Sequence, residues 1–414
     1  MVNTIFWIIV GIILFDYFFE KLLDWLNYKN MSEQLPAQLE NIYDKEKYRQ
    51  SQQYEKVTTR FSFLTGTLSL VLILTILLLG GFGYLDRWVR GMTDNIYWQT
   101  LLFFGTLGIV FDILSLPFQL YSTFVIEERF GFNKTTYKTF VADKFKSWLL
   151  GAVIGGGLLM FVLWAWLSMG AWFWPIVFTG LGIFMIFMAM FYTHLIVPIF
   201  NKLTPLPEGE LRDSLEAFGN QANFQIKDIY VIDGSKRSTR ANAYFSGFGP
   251  RKRIVLYDTL LQDLSQEEIV AVLAHEIGHY KRRHVLKGMI TSLIQSGLML
   301  LLLYFSVGQP VLSLSIGAVE PSFYMGLLAF GLLFSPISFV TGIFSNIQSR
   351  KYEYEADAYT GKHGLGKFLI DALIKLSVKN LSNLTPHPAY VFFHYSHPTL
   401  LQRKQQIEAY RQAS

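Results

Sequence analysis

The chain has 414 residues, of which 51% are hydrophobic and only 16% charged, with a formal net charge of +5. Soluble proteins carry about 25% charged residues, so this composition excludes an ordinary soluble enzyme and points to a membrane. Cysteine is absent, which excludes disulfides and thiolate metal sites and leaves His, Asp and Glu as ligands; the basic residues form no stripe, which argues against a nucleic-acid partner.

Seven apolar runs reach the ~20 residues that a hydrocarbon core requires. They are Val2 to Leu23, Phe61 to Leu85, Ile96 to Tyr121, Trp148 to Gly170, Phe173 to Phe200, Val285 to Val307 and Ser322 to Ser345. The first reads as a transmembrane helix rather than a removable leader, because no Lys or Arg precedes its apolar core. The connecting loops alternate in basic content. Loops one and three are rich in Lys and Arg, loop two holds only Arg87 and Arg90, and loops four and six hold none. The long fifth loop and the C-terminal tail are basic again. The positive-inside rule then predicts an outside N-terminus, with loop five and the tail together in the cytoplasm. Residues 1–200 form a membrane region of five helices; residues 201–414 hold helices six and seven, the soluble-like part and the tail.

Between Asn201 and His284 the composition turns soluble-like. Leu211 to Ala222 reads as an amphipathic helix. Ile229 to Ile232 and Arg253 to Tyr257 read as short strands, bounded by Asp233-Gly234 and Gly249-Pro250. Ser265-Gln266-Glu267-Glu268 is a capping-box pattern. It predicts a helix that carries His275 and His279 and runs on through Lys281-Arg282-Arg283 into the sixth apolar run.

His275-Glu276-Ile277-Gly278-His279 reads H-E-x-x-H. Two histidines four apart share one helix face and reach one metal ion. Glu276 beside them can take a proton from a water at that ion, which is the equipment of zinc-dependent peptide hydrolysis. Gly278 leaves room for another backbone to come close. Catalytic zinc needs a third protein ligand and an open position. Tyr352-Glu353-Tyr354-Glu355-Ala356-Asp357 follows the seventh run on the same side. Glu353 and Asp357 share a face, so one carboxylate can bind zinc while the other orients a ligand histidine. Spacing alone leaves both Glu353 and Glu355 open as the ligand, and a solvated acidic face is the plainer alternative. His284, after the basic cluster, reads as an interfacial residue, as does His194, and His363 lies in a Gly-Lys-His-Gly loop. His387, His394 and His397 cluster in the aromatic-rich tail, where a histidine can hydrogen-bond the oxyanion formed when water adds to a peptide carbonyl.

Several stretches in order resemble one family: Tyr121 to Lys134; Asp233 to Ser238 with Asn242-Ala243-Tyr244-Phe245; Lys252 to Leu260; His275 to His279; Ser349 to Asp357; and His394-Tyr395-Ser396-His397-Pro398 with Arg403. They are similar to the segments of Ste24-type CAAX prenyl proteases, integral-membrane zinc metalloproteases of the M48 class. The resemblance implies one Zn²⁺ per chain held by His275, His279 and Glu353, with Asp357 as the partner of a ligand histidine. It implies Glu276 as the base and His397 as the group that stabilises the tetrahedral intermediate. Asn242, Ala243, Tyr244 and Phe245 would contact substrate, and Arg403 would hold substrate or support His397.

The expected architecture is an α-helical polytopic membrane protein with seven transmembrane helices, and the resemblance implies that they surround a water-filled intramembrane chamber. A cytoplasmic, gluzincin-like zinc protease portion would contain a small β element. The expected activity is a zinc metalloendopeptidase cutting near the C-terminus of prenylated CAAX-type proteins or peptides. Its partners are the lipid bilayer and that substrate, and no oligomer is required. A quality-control protease of HtpX type is a competing reading, as is a non-catalytic receptor or transporter with structural zinc. The tail and polar connections are short, as in bacterial members, which points to a bacterial inner membrane, or to the endoplasmic reticulum if the owner is eukaryotic.

Overall fold

A computed structural model describes residues 1–40, 42–226, 228–246 and 253–413, with residues 38, 245, 246 and 411–413 described by backbone alone. The turn expected at Gly249-Pro250, and Lys252, lie outside the described residues. The N-terminal half consists of α1 (Val2–Asn30), α2 (Lys45–Leu78), α3 (Gly81–Met92), α4 (Ile96–Tyr121), α5 (Tyr137–Leu150), α6 (Gly156–Met169), α7 (Phe173–Leu195) and the short α8 (Val197–Phe200).

Among the described residues, six helical stretches are long and apolar enough to cross a bilayer. One of them, Tyr137–Phe200, is 64 residues long and holds two of the seven apolar runs. The chain reverses inside it at Gly170, whose φ of +49° suits a residue without Cβ. Helix α6 then packs back on α7: Trp166 meets Phe173 edge-on at 5.3 Å, and a Cβ on Gly180 would lie 2.5 Å from the Phe161 ring. Among the described residues, the six stretches therefore comprise seven apolar helical passes, one for each of the seven runs.

The second run ends earlier than its composition suggests. Helix α2 stops at Leu78, and Gly80, at φ +68°, turns the chain into a separate α3. That helix buries Phe82 and Val89 beside Phe103 and Tyr324. Its buried Asp86 accepts hydrogen bonds from the Tyr324 hydroxyl at 2.5 Å and the Val319 amide at 3.0 Å. Loops two and six are thus joined at one end of the bundle. Loops one, three and five and the tail meet at the other. Tyr43 and Tyr48 pack with Leu384 and Leu400, Phe130 and Phe132 with Tyr54 and Leu381, and the Lys134 amide donates to the Arg237 carbonyl at 3.0 Å.

The soluble-like part is a four-stranded sheet, β1 (Leu203–Pro205), β2 (Asp228–Ile232), β3 (Ala243–Ser246) and β4 (Arg253–Tyr257), in the order β1-β2-β4-β3. Strands β2 and β4 are parallel, and the outer pairs are antiparallel. Composition foresees β2 and β4, which are rich in β-branched residues; β1 and β3, of three and four residues, are too short to stand out. The amphipathic helix is α9 (Glu210–Gln221), followed after the sheet by α10 (Asp258–Asp263). Leu215 and Phe218 of α9, Ile229, Ile254 and Leu256 of the sheet, and Leu273, Ala274 and Ile277 form one core.

The remaining elements are α11 (Gln266–Lys281), α12 (His284–Val307), α13 (Pro310–Ser315), α14 (Phe323–Lys362), α15 (Gly366–Lys379), α16 (Pro388–His394) and α17 (Leu400–Ala413). The single helix expected through Lys281-Arg282-Arg283 is two. Arg283 sits at φ +57° between α11 and α12, a left-handed conformation that costs a non-glycine residue about 1 kcal/mol.

Candidate active site

Helix α11 starts with the expected capping box: the Ser265 hydroxyl accepts from the Glu268 amide, and the Glu268 carboxylate accepts from the Ser265 amide at 2.7 Å. The reciprocal cap contributes about 1 kcal/mol. It fixes the start of a helix whose inner face, Ile269, Leu273, Ala274 and Ile277, is buried against the sheet core. His275 and His279 lie one turn apart on it, with Nε2 atoms 3.1 Å from each other.

The third group arrives on α14. This 40-residue helix continues past its apolar part and buries Glu353 and Asp357 against α11. Gly278 makes that approach possible, since a Cβ there would lie 3.0 Å from the Ala356 Cα and 3.1 Å from the Tyr359 Cβ. Glu353 places Oε2 3.3 Å from His275 Nε2 and Oε1 3.3 Å from His279 Nε2. Among the described residues, His275, His279 and Glu353 form the group able to hold a metal ion.

These residues fit a zinc ion. The donor set is two imidazoles and a carboxylate, and a tetrahedral ion with bonds of about 2.0–2.2 Å separates its ligands by about 3.3 Å. Glu353 Oε2 is buried and accepts no hydrogen bond. Such an oxygen is costly unless a cation completes it.

Asp357 lies behind His275. His275 Nδ1 lies 3.0 Å from Asp357 Oδ1, a carboxylate that favours the tautomer protonated at Nδ1 and so leaves Nε2 for a metal. Arg403 of α17 forms a fork on the same carboxylate, Nε to Oδ2 at 2.9 Å and Nη2 to Oδ1 at 2.6 Å, and its Nη1 is 3.5 Å from Glu353 Oε2. Burial pushes the His275 ring down, but the neighbouring Asp357 and Glu353 carboxylates outweigh that and raise its pKa to about 9. Burial likewise pulls on Arg403, and the Asp357 charge outweighs it, so the guanidinium is held charged.

Arg403, for which a substrate or His397-supporting role is expected, is only 8% exposed, and its guanidinium lies against Asp357 and Glu353.

His397 reaches the site from the tail. Its side chain is 60% exposed, with Nε2 3.3 Å from Glu353 Oε1 and Nδ1 2.9 Å from the Ser396 hydroxyl. Helix α14 also holds this loop: Arg350 donates to the Tyr395 carbonyl at 2.5 Å, and Asn346 to the Phe393 carbonyl at 2.7 Å. The other tail histidines do different work. His387 caps α16 by accepting from the Ala389 amide, and His394 lies 3.3 Å from Glu20 of α1. His363 donates to the Tyr359 carbonyl at 2.8 Å. Glu276 follows His275 and is half-buried.

His284 differs from its reading as an interfacial residue. It is 4% exposed and lies against His279, with Nδ1 atoms 3.0 Å apart. Glu355, one of the two carboxylates open as the third ligand, turns instead to His284, 3.0 Å from its Nε2. The only hint in the sequence was a fourth polar residue five positions after the motif, beyond a break that composition does not reveal.

Strand β3 forms the edge of the sheet and packs beside α11. Asn242 is exposed, its side chain accepting from the Ala243 amide at 2.8 Å. With Tyr192, Phe200, Arg237, Tyr244 and Tyr257 it lines a cavity of about 550 Å³. Ala243 packs on the sheet core, and only the backbone of Phe245 is described. A second cavity, of about 560 Å³, is lined by Arg240, His397 and Arg403 among others. A third, of about 530 Å³, lies between α1 and α14 with Asp16, Glu20 and Ser335 on its wall. His394 borders both of the last two.

Known proteins resemble the chain over almost its whole length. Residues 24–202 match the family described as CAAX prenyl protease N-terminal, five membrane helices, and residues 205–411 match peptidase family M48. The Saccharomyces cerevisiae protein CAAX prenyl protease 1 is 35% identical, covering 96% of this chain and 93% of the yeast protein. The Arabidopsis thaliana and Homo sapiens homologs of CAAX prenyl protease 1 are 34% and 33% identical, covering 97% and 91% of this chain and 96% and 89% of their own lengths. The crystal structure of S. mikatae Ste24p superposes with a TM-score of 0.93 at 33% identity, covering 98% of this chain and 99% of that one. With a two-histidine, one-glutamate site beside long apolar helices, the chain belongs to peptidase family M48 and is an integral-membrane metalloprotease with the CAAX prenyl protease N-terminal region.

Proposed function

We propose that the protein is a zinc metalloendopeptidase that cleaves peptide bonds near the C-terminus of prenylated CAAX-type proteins or peptides. The observation that carries this reading is the convergence of His275, His279 and Glu353, with Glu276 beside them, in a chain of which 96% aligns with a protein named CAAX prenyl protease 1. In this reading His275, His279 and Glu353 hold one zinc ion. When bound there, the ion supplies Lewis acidity to the scissile carbonyl and to the attacking water. Glu276 takes a proton from that water and returns it to the leaving amine. Exposed His397 donates to the carbonyl oxygen as it gains charge. Asp357 holds the His275 tautomer, and Arg403 holds Asp357. The free edge of β3 pairs with extended substrate, with Asn242 at its start and Tyr244 lining the adjoining cavity.

Residues 1–200 serve as the membrane region and residues 201–414 as the catalytic region. Water reaches the site through the interior of the helix bundle; the adjoining cavities that share His394, with Asp16 and Glu20 on one wall, support this chamber. The positive-inside pattern supports a cytoplasmic active site and C-terminus. The chain spans 93% of the yeast relative, so its short tail is no ground for preferring a bacterial inner membrane to the endoplasmic reticulum.

The test is mass spectrometry of a farnesylated Cys-a-a-X peptide incubated with the purified full chain. Release of the last three residues is expected, with chelation abolishing release and added Zn²⁺ restoring it. Glu276→Gln is expected to retain one zinc by elemental analysis and to lose activity by at least about 100-fold. Cleavage of unmodified membrane proteins without cleavage of the prenyl peptide would instead favour a quality-control protease.

A further inference from the structure

We infer that His284 and Glu355 are positioning residues for the metal ligand His279, acting through a one-way chain of hydrogen bonds. The inference rests on the reading that His275, His279 and Glu353 hold the zinc ion.

His279 turns its Nε2 toward His275 Nε2 and Glu353. Its other ring nitrogen, Nδ1, is 3.0 Å from Nδ1 of His284. His284 Nε2 is in turn 3.0 Å from Glu355 Oε2. The chemistry fixes the direction of this chain. A carboxylate only accepts, so His284 donates from Nε2 to Glu355. A neutral imidazole that donates from one nitrogen accepts at the other. His284 Nδ1 therefore accepts from His279 Nδ1–H, and the lone pair of His279 lies on Nε2, toward the metal position. The ring of His284 has little freedom to leave this arrangement: it is buried and stacked on Tyr352, with centroids 4.1 Å apart and planes within 8°.

The backbone is shaped for this contact. On an uninterrupted helix, residues five apart point about 140° from each other, and His284 would face away from His279. The left-handed Arg283 ends α11, and its carbonyl accepts from the Lys287 amide as α12 begins. The new helix axis brings the His284 ring back beneath His279.

The two ligand histidines are thus oriented differently. His275 is held directly by a carboxylate that Arg403 neutralises, whereas His279 is held by a neutral imidazole with the carboxylate one step behind it. A ligand histidine depends on such a partner for its tautomer and ring orientation, and loss of the partner weakens metal binding on the order of 10- to 100-fold.

The experiment measures zinc affinity of the full chain in detergent by competition with a chromophoric chelator, and records the visible spectrum of the Co²⁺-substituted protein. His284→Phe, which keeps the stack on Tyr352 but offers no acceptor, is expected to lose about 10- to 100-fold in zinc affinity and to shift the Co²⁺ spectrum. His284→Asn, whose carbonyl oxygen can accept near the place of Nδ1, is expected to recover most of that affinity. Glu355→Gln, at a half-buried position that tolerates a neutral amide, is expected to fall between the two. Zinc affinity within twofold of the parent in both His284→Phe and Glu355→Gln, or His284→Asn no better than His284→Phe, would overturn the inference. His279→Ala is measured alongside. Unchanged zinc affinity in that variant would mean that the three-ligand reading itself had failed, rather than the role of His284.

Discussion

Asp357 lies 3.0 Å from His275 Nδ1 on one side and accepts from Arg403 on the other while fully buried, so the charge on one aspartate serves both the ligand and its support. Removing that charge with Asp357→Asn leaves the Arg403 guanidinium buried without its partner. Breaking a buried pair in this way costs about 3–5 kcal/mol, and loss of the carboxylate behind a ligand histidine weakens metal binding by about 10- to 100-fold. A lower melting temperature in detergent, together with a lower zinc affinity, is the expected result. Arg403→Lys separates this account from a substrate role. A lysine cannot form the two-point fork on Asp357, so zinc affinity should fall in parallel with turnover. If Arg403 instead held substrate, KM would rise while zinc affinity stayed constant, and that pattern would refute its assignment as a support for Asp357.

Two helices make the site, and the contact between them is set by one missing side chain. A methyl group at Gly278 would meet the Ala356 Cα at 3.0 Å and its carbonyl at 3.2 Å, both backbone atoms of α14 that have no rotamer to change. Gly278→Ala should therefore force α11 and α14 apart, cost about 1–3 kcal/mol, and reduce zinc stoichiometry, because Glu353 travels with α14. The comparison is Gly361→Ala on α14, where the nearest contact is 3.9 Å from Tyr410. There the methyl group fits, and the helix gains roughly 0.5–1 kcal/mol. Thermal melting and elemental analysis of both variants check the pair; equal zinc content in the two would sink the close-approach argument.

The same elements show what a sequence can and cannot convey. The capping box, the i,i+4 histidines and the i,i+4 carboxylates are local patterns, and each appears in the structure at the residues that carry it. The left-handed turn at Arg283 left no mark, because arginine is not a residue that signals such a turn, and with it went the role of His284. Spacing left the choice between Glu353 and Glu355 open, since it depends on which side of α14 faces α11, and only the resemblance pointed to Glu353.

At the scale of the whole molecule, the most informative sequence property was the alternation of basic loops, which needs no local structure to be read. The structure gathers the loops accordingly. Loops one, three and five and the tail share apolar contacts at the end that carries the metal ligands. Loops two and six are joined through Asp86 and Val319 at the opposite end. Each side is held together by packing, so the two ends are fixed relative to one another, and the remaining question is which end faces the cytoplasm. The chain contains no cysteine, so single cysteines can be introduced without first removing others. Glu46 has a side chain 74% exposed and Tyr137 is 66% exposed, on the basic side. Trp172 is 70% exposed and the Glu320 side chain 75% exposed, on the other. In sealed right-side-out vesicles or intact cells, an impermeant maleimide is expected to label Trp172→Cys and Glu320→Cys at once. Glu46→Cys and Tyr137→Cys should be labelled only after the membrane is permeabilised. The reverse pattern would keep the fold and overturn the cytoplasmic orientation; labelling that split Glu46→Cys from Tyr137→Cys would contradict the packing of loops one and three on a common side.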